Sequence, residues 1–550
     1  MALRLPPLGE AEGVRPYREA TMKIRRHFLD VSFLLGLSLA LLVSATAGSH
    51  AIGAPAGVSG DAAGAPRVIA AAGDLDADFG ARGKVTTSFG RDNDAAYAVA
   101  IQGDGKILAA GAAYTGSGYN FAVARYLTNG SLDAGFGAGG KTTTSFGYAG
   151  VENRAYALAV QGDGKIIAAG VGVIHVGDGY LEHLALVRYG VNGSLDAGFG
   201  LGGKVLTNFG CHESSGSAVA IQADGKIVAA GSSLCNTYDF AVARYLGDGS
   251  LDPAFGAGGL TTTDFGRDEG ASSIALQGDG KLVVAGSSYS GAASDFALAR
   301  YLANGSLDTG FGVGGKATTD FAGGADFGRA VALQSDGKIV VAGTGAIGGN
   351  RDFVLARYNS NGSLDTGFGA GGKVITPVRS GHDDGNALVI QPDGKIIVSG
   401  SSEDSRGRRD FALVRYSSNG SLDAGFGVGG KVTTDFHGYG DYSTALALQS
   451  DGKLAAAGVT AMSSFSDSYF ALARYLGDAG TPPTSTRTAT ATPSRTPSAT
   501  ASPTGTRTAT ATPTRTLTIA PTTTRTPTRT LTPTAISGPR FYLPLVVRKR

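Results

Sequence analysis

The chain has 550 residues, 87 of them glycine, none tryptophan and two cysteine. A hydrophobic fraction of 42%, with the glycines at fixed places in a long period, excludes a low-complexity disordered body. The formal net charge of +2 divides unevenly: 481–550 holds ten bases and no acid and 1–51 six bases and four acids, so the body between them stands at −10, which excludes the clustered basic face that a nucleic-acid-binding domain needs.

Residues 1–21 precede Met22 and fit no targeting pattern, so they read as an upstream extension. Lys23, Arg25 and Arg26 then lead into an apolar run from Val31 to Val43, followed by Ala45-Thr46-Ala47. Charged, apolar and small residues in that order form a secretory signal peptide, here over 22–47. The apolar run is shorter than the roughly 20 residues a spanning helix needs, so no transmembrane helix is expected in the mature chain. Residues 48–73 read as a linker.

From 74 to 478 one pattern recurs seven times. Leu-Asp-x-x-Phe-Gly begins at Leu75, Leu132, Leu195, Leu251, Leu307, Leu364 and Leu422, with steps of 56 to 63 residues. A Gly-Lys-Val-Thr-Thr-like segment follows, then an alternating stretch such as "AYAVAIQ", an Asp-Gly-Lys corner, an apolar run such as "KILAAGAA", and a strand ending in Arg-Tyr. Asp-Gly between apolar runs is a hairpin signal, because glycine accepts the positive φ of a tight turn. A second corner, Asn-Gly-Ser, recurs before Leu-Asp. Each unit therefore holds four strands. Seven such units predict an all-β chain folded as a seven-bladed β-propeller of four-stranded blades. The array starts with a lone strand, 83–89, and ends with 470–476, which has no Thr-Thr strand after it. Pairing those two segments would close the ring and remove two exposed edges.

After about 481 the chain turns to Thr and Pro with an occasional Arg, has little to bury, and is expected to be a disordered stalk over 481–538. A short apolar-basic tag, 539–550, ends it.

The Leu-Asp-x-x-Phe-Gly element, the Gly-Lys-Val-Thr-Thr segment, the Gln-x-Asp-Gly-Lys corner and the Phe-Ala-Leu-Ala-Arg-Tyr strand together resemble the bacterial delta-60 repeat family, over about 74–478. The resemblance implies a propeller-like protein that is secreted or held at a bacterial cell surface. It implies no activity.

A buried arginine must be paired, and in the standard unit an Asp follows each Arg-Tyr by eight residues, as in Arg125 with Asp133 and Arg300 with Asp308. These are expected to be structural ion pairs rather than ligand contacts. Cys211 and Cys235 lie at the open end of one hairpin in the third unit, and an exported chain meets oxidising surroundings. A disulfide is expected; two free thiols, or a metal site with His212, are the alternatives. "DLDADFG" at 74–80 spaces its acids like a calcium loop but lacks the glycine and glutamate in their places. No catalytic motif, cofactor fingerprint or metal-ligand spacing appears, so catalytic, cofactor and metal residues are all expected to be none.

Both recurring corners fall on one end of the ring, and the loops that differ between units gather on the other. Varied loops on a rigid frame are where binding lives. The expected function is a non-catalytic binding or interaction scaffold, secreted or at the cell surface, with a protein or glycan ligand on that varied face and a monomeric propeller. The alternatives are a hydrolase- or lyase-type enzyme acting in the axial channel, and a purely structural envelope protein.

Overall fold

The computed structural model describes residues 71–478, apart from 92, 148–149, 177–178, 290–292 and 463–466. The upstream extension, the signal peptide, the linker up to residue 70, the stalk and the C-terminal tag lie outside the described residues. Twenty-eight strands form seven antiparallel four-stranded sheets, and the chain is a seven-bladed β-propeller. Among the described residues no helix is long and apolar enough to cross a membrane.

The first blade shows how one unit folds. Its strands are Ala95–Ile101, Ile107–Tyr114, Tyr119–Tyr126 and Lys141–Thr144, in sequence order from the axis outward. The second strand, ILAAGAAY, is buried at all but its last residue, because blades cover both of its faces. The outer strand, KTTT, is short and half-exposed, which suits an edge. At the Asp-Gly-Lys corner, Gln102 and Lys106 are hydrogen-bonded (2.9 Å), and Gly105 takes φ +80°. Gly111, in the "AAG" of the second strand, is required for a different reason. A β-bulge between Ala96 and Ala98 pushes the inner strand against it, and a Cβ there would lie 1.9 Å from the Ala95 carbonyl oxygen.

The Arg-Tyr pair joins each blade to both neighbours. Arg125 donates from Nε to Asp133 Oδ2 (2.9 Å) and from Nη1 to the Val191 carbonyl of the second blade, and its guanidinium lies over the Phe136 ring. Arg300 likewise meets Asp308 at 2.9 Å and the Ser360 carbonyl of the next blade. In the other direction Tyr126 donates to Thr87 Oγ1 of the preceding blade (2.8 Å), and Tyr301 does the same to Thr263 (2.8 Å).

The seventh blade takes three strands from the end of the array, Asp441–Leu448, Leu454–Ala461 and Ser468–Tyr475, and its outer strand, Lys84–Thr87, from the beginning. The closing register runs from Lys84↔Ala473 to Thr87↔Phe470, four pairs within the longer segments expected from sequence. The closure reaches further back than that strand. Gly73 N–H donates to the Leu476 carbonyl (2.9 Å), Gly427 N–H donates to the Ala72 carbonyl (2.9 Å), and Arg474 pairs with Asp76 (2.8 Å), as each earlier Arg pairs with the Asp of its own unit.

Cys211 and Cys235 are joined in a disulfide, with Cα atoms 4.6 Å apart, at the open end of the third blade's first hairpin.

Two stability tests follow from this architecture. Removing one member of a buried pair strands the other charge, so Arg474→Ala should cost about 3–5 kcal/mol in chemical denaturation, whereas loss of the exposed Lys106–Asp104 contact (3.2 Å) should cost under about 1 kcal/mol. Equal losses would contradict the role given to Arg474. No thiol should titrate in the native protein, and Cys211→Ser should cost about 3 kcal/mol by freeing a loop closed over 24 residues.

Candidate functional site

The two recurring corners stand on one end of the ring, and Arg125–Asp133 and Arg300–Asp308 lie beside them, between blades. The opposite end carries the loops that differ. There the second blade lengthens its hairpin to strands Ile166–Val176 and Gly179–Tyr189, with the His175 and Tyr180 rings 4.0 Å apart. The disulfide sits on this end too.

A row of buried acids holds those loops down. Asp94, Asp326, Asp383 and Asp441 are fully buried at the start of their blades. Each accepts the backbone N–H of a residue five positions earlier: Phe89 (2.7 Å), Phe321 (2.6 Å), Val378 (2.6 Å) and Phe436 (2.7 Å). Glu269, Asn153 and Ser214 occupy the equivalent places in other blades. Burial pushes the Asp94 carboxyl up to about 6, against the Phe89 and Tyr114 N–H groups and Lys141, and pushes Glu269, Asp326 and Asp441 up to about 7.

Three of these acids belong to carboxylate groupings: Asp239/Asp264/Glu269, Asp295/Asp320/Asp326 and Asp410/Asp435/Asp441, each with its oxygens within 4.8 Å of one another. These are hard oxygen donors of the kind Ca2+ takes, three of the six to eight it fills. Protein cations already attend all three. Arg379 Nη1 lies 2.6 Å from Asp410, and Lys316 Nζ and Lys373 Nζ donate to the backbone carbonyls of Asp264 (2.9 Å) and Asp320 (2.5 Å). Sequence reasoning singled out none of these groupings, because two acids on one loop are joined by a third only through pairing with an earlier strand.

The bulge of the inner strand recurs in every blade and lifts one residue out of the ladder. The seven residues are Tyr97, Tyr156, Ser217, Ser272, Arg329, Asn386 and Thr444, and they reach towards their neighbours around the axis. The Tyr97 and Tyr156 rings are 5.3 Å apart, Asn386 Nδ2 donates to the Ser443 carbonyl (2.9 Å), and Thr444 Oγ1 donates to the Ala96 carbonyl (2.9 Å). Between the second and fifth blades the ring opens into a cavity of about 120 Å³ on the varied-loop side, lined by Tyr156, Ser217, Ser272 and Arg329. Tyr238, Tyr289, Phe327, Glu182 and Glu213 complete its aromatic and acidic walls. Sequence reasoning placed binding on this end but named no residue. The signal was the one letter inside "AYAVAIQ" and its copies that ranges from serine to tyrosine and arginine while the residues flanking it stay glycine, alanine or serine.

Beyond Arg329 the same rim carries a charge network. Asp384 accepts from Arg351 at 2.7 and 3.1 Å and also from Arg409, which in turn meets Glu403 at 3.3 Å. The cavity thus has carboxylates at the second- and third-blade end and the Arg329 guanidinium at the fifth-blade end.

This architecture defines a β-propeller repeat protein. Six stretches, 102–136, 161–199, 222–255, 277–311, 334–368 and 391–426, match the family model described as a domain of unknown function (DUF5122) beta-propeller. No curated protein matches the sequence. Among solved structures the chain is similar to a catalytically inactive virginiamycin B lyase from Staphylococcus aureus (10% identity, TM-score 0.41, covering 71% of this chain and 98% of that one). It is similar also to a protein of unknown function from Dyadobacter fermentans (10% identity, TM-score 0.38, 72% and 98%) and to the polysaccharide lyase Uly1 (12% identity, TM-score 0.39, 69% and 89%). These likenesses carry no argument about activity.

The buried acids set a pH dependence. The folded state holds the Asp94 proton more tightly than the unfolded chain does, so folding stability should rise as pH falls through about 6 towards 4. Asp94→Asn should flatten that slope by about one proton in urea titrations between pH 4 and 7 while keeping the fold, since Asn153 fills the same position in the second blade and accepts the Val173 N–H at 2.9 Å. An unchanged slope would remove Asp94 from the account.

Proposed function

We propose that this protein is a non-catalytic binding scaffold that holds its ligand on the varied-loop face, in the cavity at the axial mouth. The observation that carries the reading is the make-up of that cavity. A chain that repeats the same scaffold residues seven times lines this one space with residues from the one inner-strand position that varies around the ring: Tyr156, Ser217, Ser272 and Arg329. Aromatic faces beside hydroxyls suit a ligand that stacks and hydrogen-bonds, which favours a glycan over an apolar small molecule. We also propose that the protein is exported to the cell surface or beyond, a reading supported by the Cys211–Cys235 disulfide, since such bonds persist in oxidising compartments.

The test is binding of the full-length protein to a panel of glycans and cell-wall polymers, with Tyr156→Ala and Tyr289→Ala beside the unaltered chain. The expected outcome is retention of at least one glycan, weakened about tenfold by either substitution, in line with the ~1.4 kcal/mol scale of an aromatic contact. Binding that ignores both substitutions would move the site elsewhere, and turnover of a bound polymer would replace the scaffold by an enzyme.

A further inference from the structure

Arg329 is the one charged member of the bulged ring, and its charge has no local answer. Among the described residues it makes no hydrogen bond and no ion pair, and its Nε is sealed from solvent without a partner. The Phe327 ring lies 5.3 Å from its guanidinium, a contact worth less than a hydrogen-bonded ion pair. The acid that most affects it, Asp384, is already held by Arg351 and Arg409. The seven buried arginines of the Arg-Tyr pairs, by contrast, each have a carboxylate at 2.8–2.9 Å. A half-buried guanidinium without a carboxylate partner is costly, and Arg329 lines the cavity.

We infer that Arg329 is the recognition residue for an oxyanion, and that the ligand is an acidic sugar whose carboxylate meets Arg329 while its ring lies among the tyrosines and its hydroxyls meet Ser217, Ser272 and the far carboxylates. This deepens the binding reading above and rests on it. Guanidinium and carboxylate match as planar, two-pronged partners. A doubly charged phosphate fits less well, because Glu182 and Glu213 line the same cavity and would repel it more strongly than a single charge. Those carboxylates accept hydrogen bonds from sugar hydroxyls, and tyrosine faces cover the apolar side of a pyranose. A neutral sugar would leave Arg329 unpaired, so discrimination between acidic and neutral sugars is the property the arrangement confers.

The experiment is calorimetric binding of the full-length protein to glucuronate, to a glucuronate-containing oligosaccharide, to glucose and to inorganic sulfate, repeated with Arg329→Gln and Arg329→Lys. Thermal melts of each variant establish that the ring is folded. The expected result is binding of glucuronate at least tenfold tighter than glucose, abolition of that preference in Arg329→Gln, and its partial return in Arg329→Lys. Tighter binding of the oligosaccharide than of glucuronate identifies a residue within a chain as the natural ligand, and equal binding identifies the free sugar; both support the inference. Equal affinity for glucuronate and glucose, or indifference to Arg329→Gln, overturns the inference and leaves the scaffold reading standing. Binding of sulfate alone overturns it in favour of a simple anion site. If Arg329→Gln does not fold, the unaltered protein decides the matter: glucuronate should raise its melting temperature and glucose should not. Failure of every sugar here, together with failure of the glycan panel, removes both readings.

Discussion

Seven buried guanidiniums set the spacing of this ring. Each sits between a carboxylate of its own blade and, in all but one case, a carbonyl oxygen of the next, so its desolvation is offset only when two blades stand at the right distance and angle. The exception is Arg415, which donates to Asp478 at the end of the array (2.9 Å). The tyrosine beside six of the seven arginines faces the other way and hydrogen-bonds a threonine of the preceding blade, as Tyr126 and Tyr475 do. One dipeptide thus fixes both interfaces of a blade. The last pair, Arg474 with Asp76, spans 398 residues and does across the closure what its six counterparts do within a unit.

Much of this was legible before any coordinates. Arg-Tyr, Leu-Asp and the two glycine corners recur as fixed letters, and fixed letters at fixed spacing report a geometric need. The lone strand at the start and the missing strand at the end reported the closure, and Cys211 and Cys235 reported their own proximity. The bulge was not legible. It rests on a contact between strands, in which Ala95 approaches Gly111 too closely for a side chain, and nothing in "AYAVAIQ" distinguishes a bulged strand from a regular one. Nor was the burial of the acids Asp94, Asp326, Asp383 and Asp441 legible. Their burial depends on the hydrogen bond each accepts from a residue five places back and on the neighbouring blade that covers it.

The bulge also explains why frame and site can differ so much in their tolerance of change. A residue in the ladder must match its cross-strand partner and the blade above it, and the second and third strands accordingly vary little from unit to unit. The bulged residue is released from that pairing. Tyrosine, serine, arginine, asparagine and threonine all occupy the position without altering the register on either side of it. Chemistry therefore accumulates on the inner strands, one bulged residue to a blade, and the cavity forms where small ones, Ser217 and Ser272, leave room between Tyr156 and Arg329.

The borrowed outer strand of the seventh blade has a consequence for the order of assembly. On a chain that emerges from its N-terminus, Lys84–Thr87 is made long before Phe470–Ala473, its partner. Six blades acquire all four of their strands as they are synthesised and can pack on the blade before them, yet the interface between the first and seventh blades waits until the circle is complete. The earliest strand must wait unpaired for the whole of that interval, and its length of four residues keeps the exposed edge too short to recruit a stranger. Closure of the ring is thus a late event, gated by the arrival of the strands between Asp441 and Tyr475, and a ribosome that stalls before them releases an open arc.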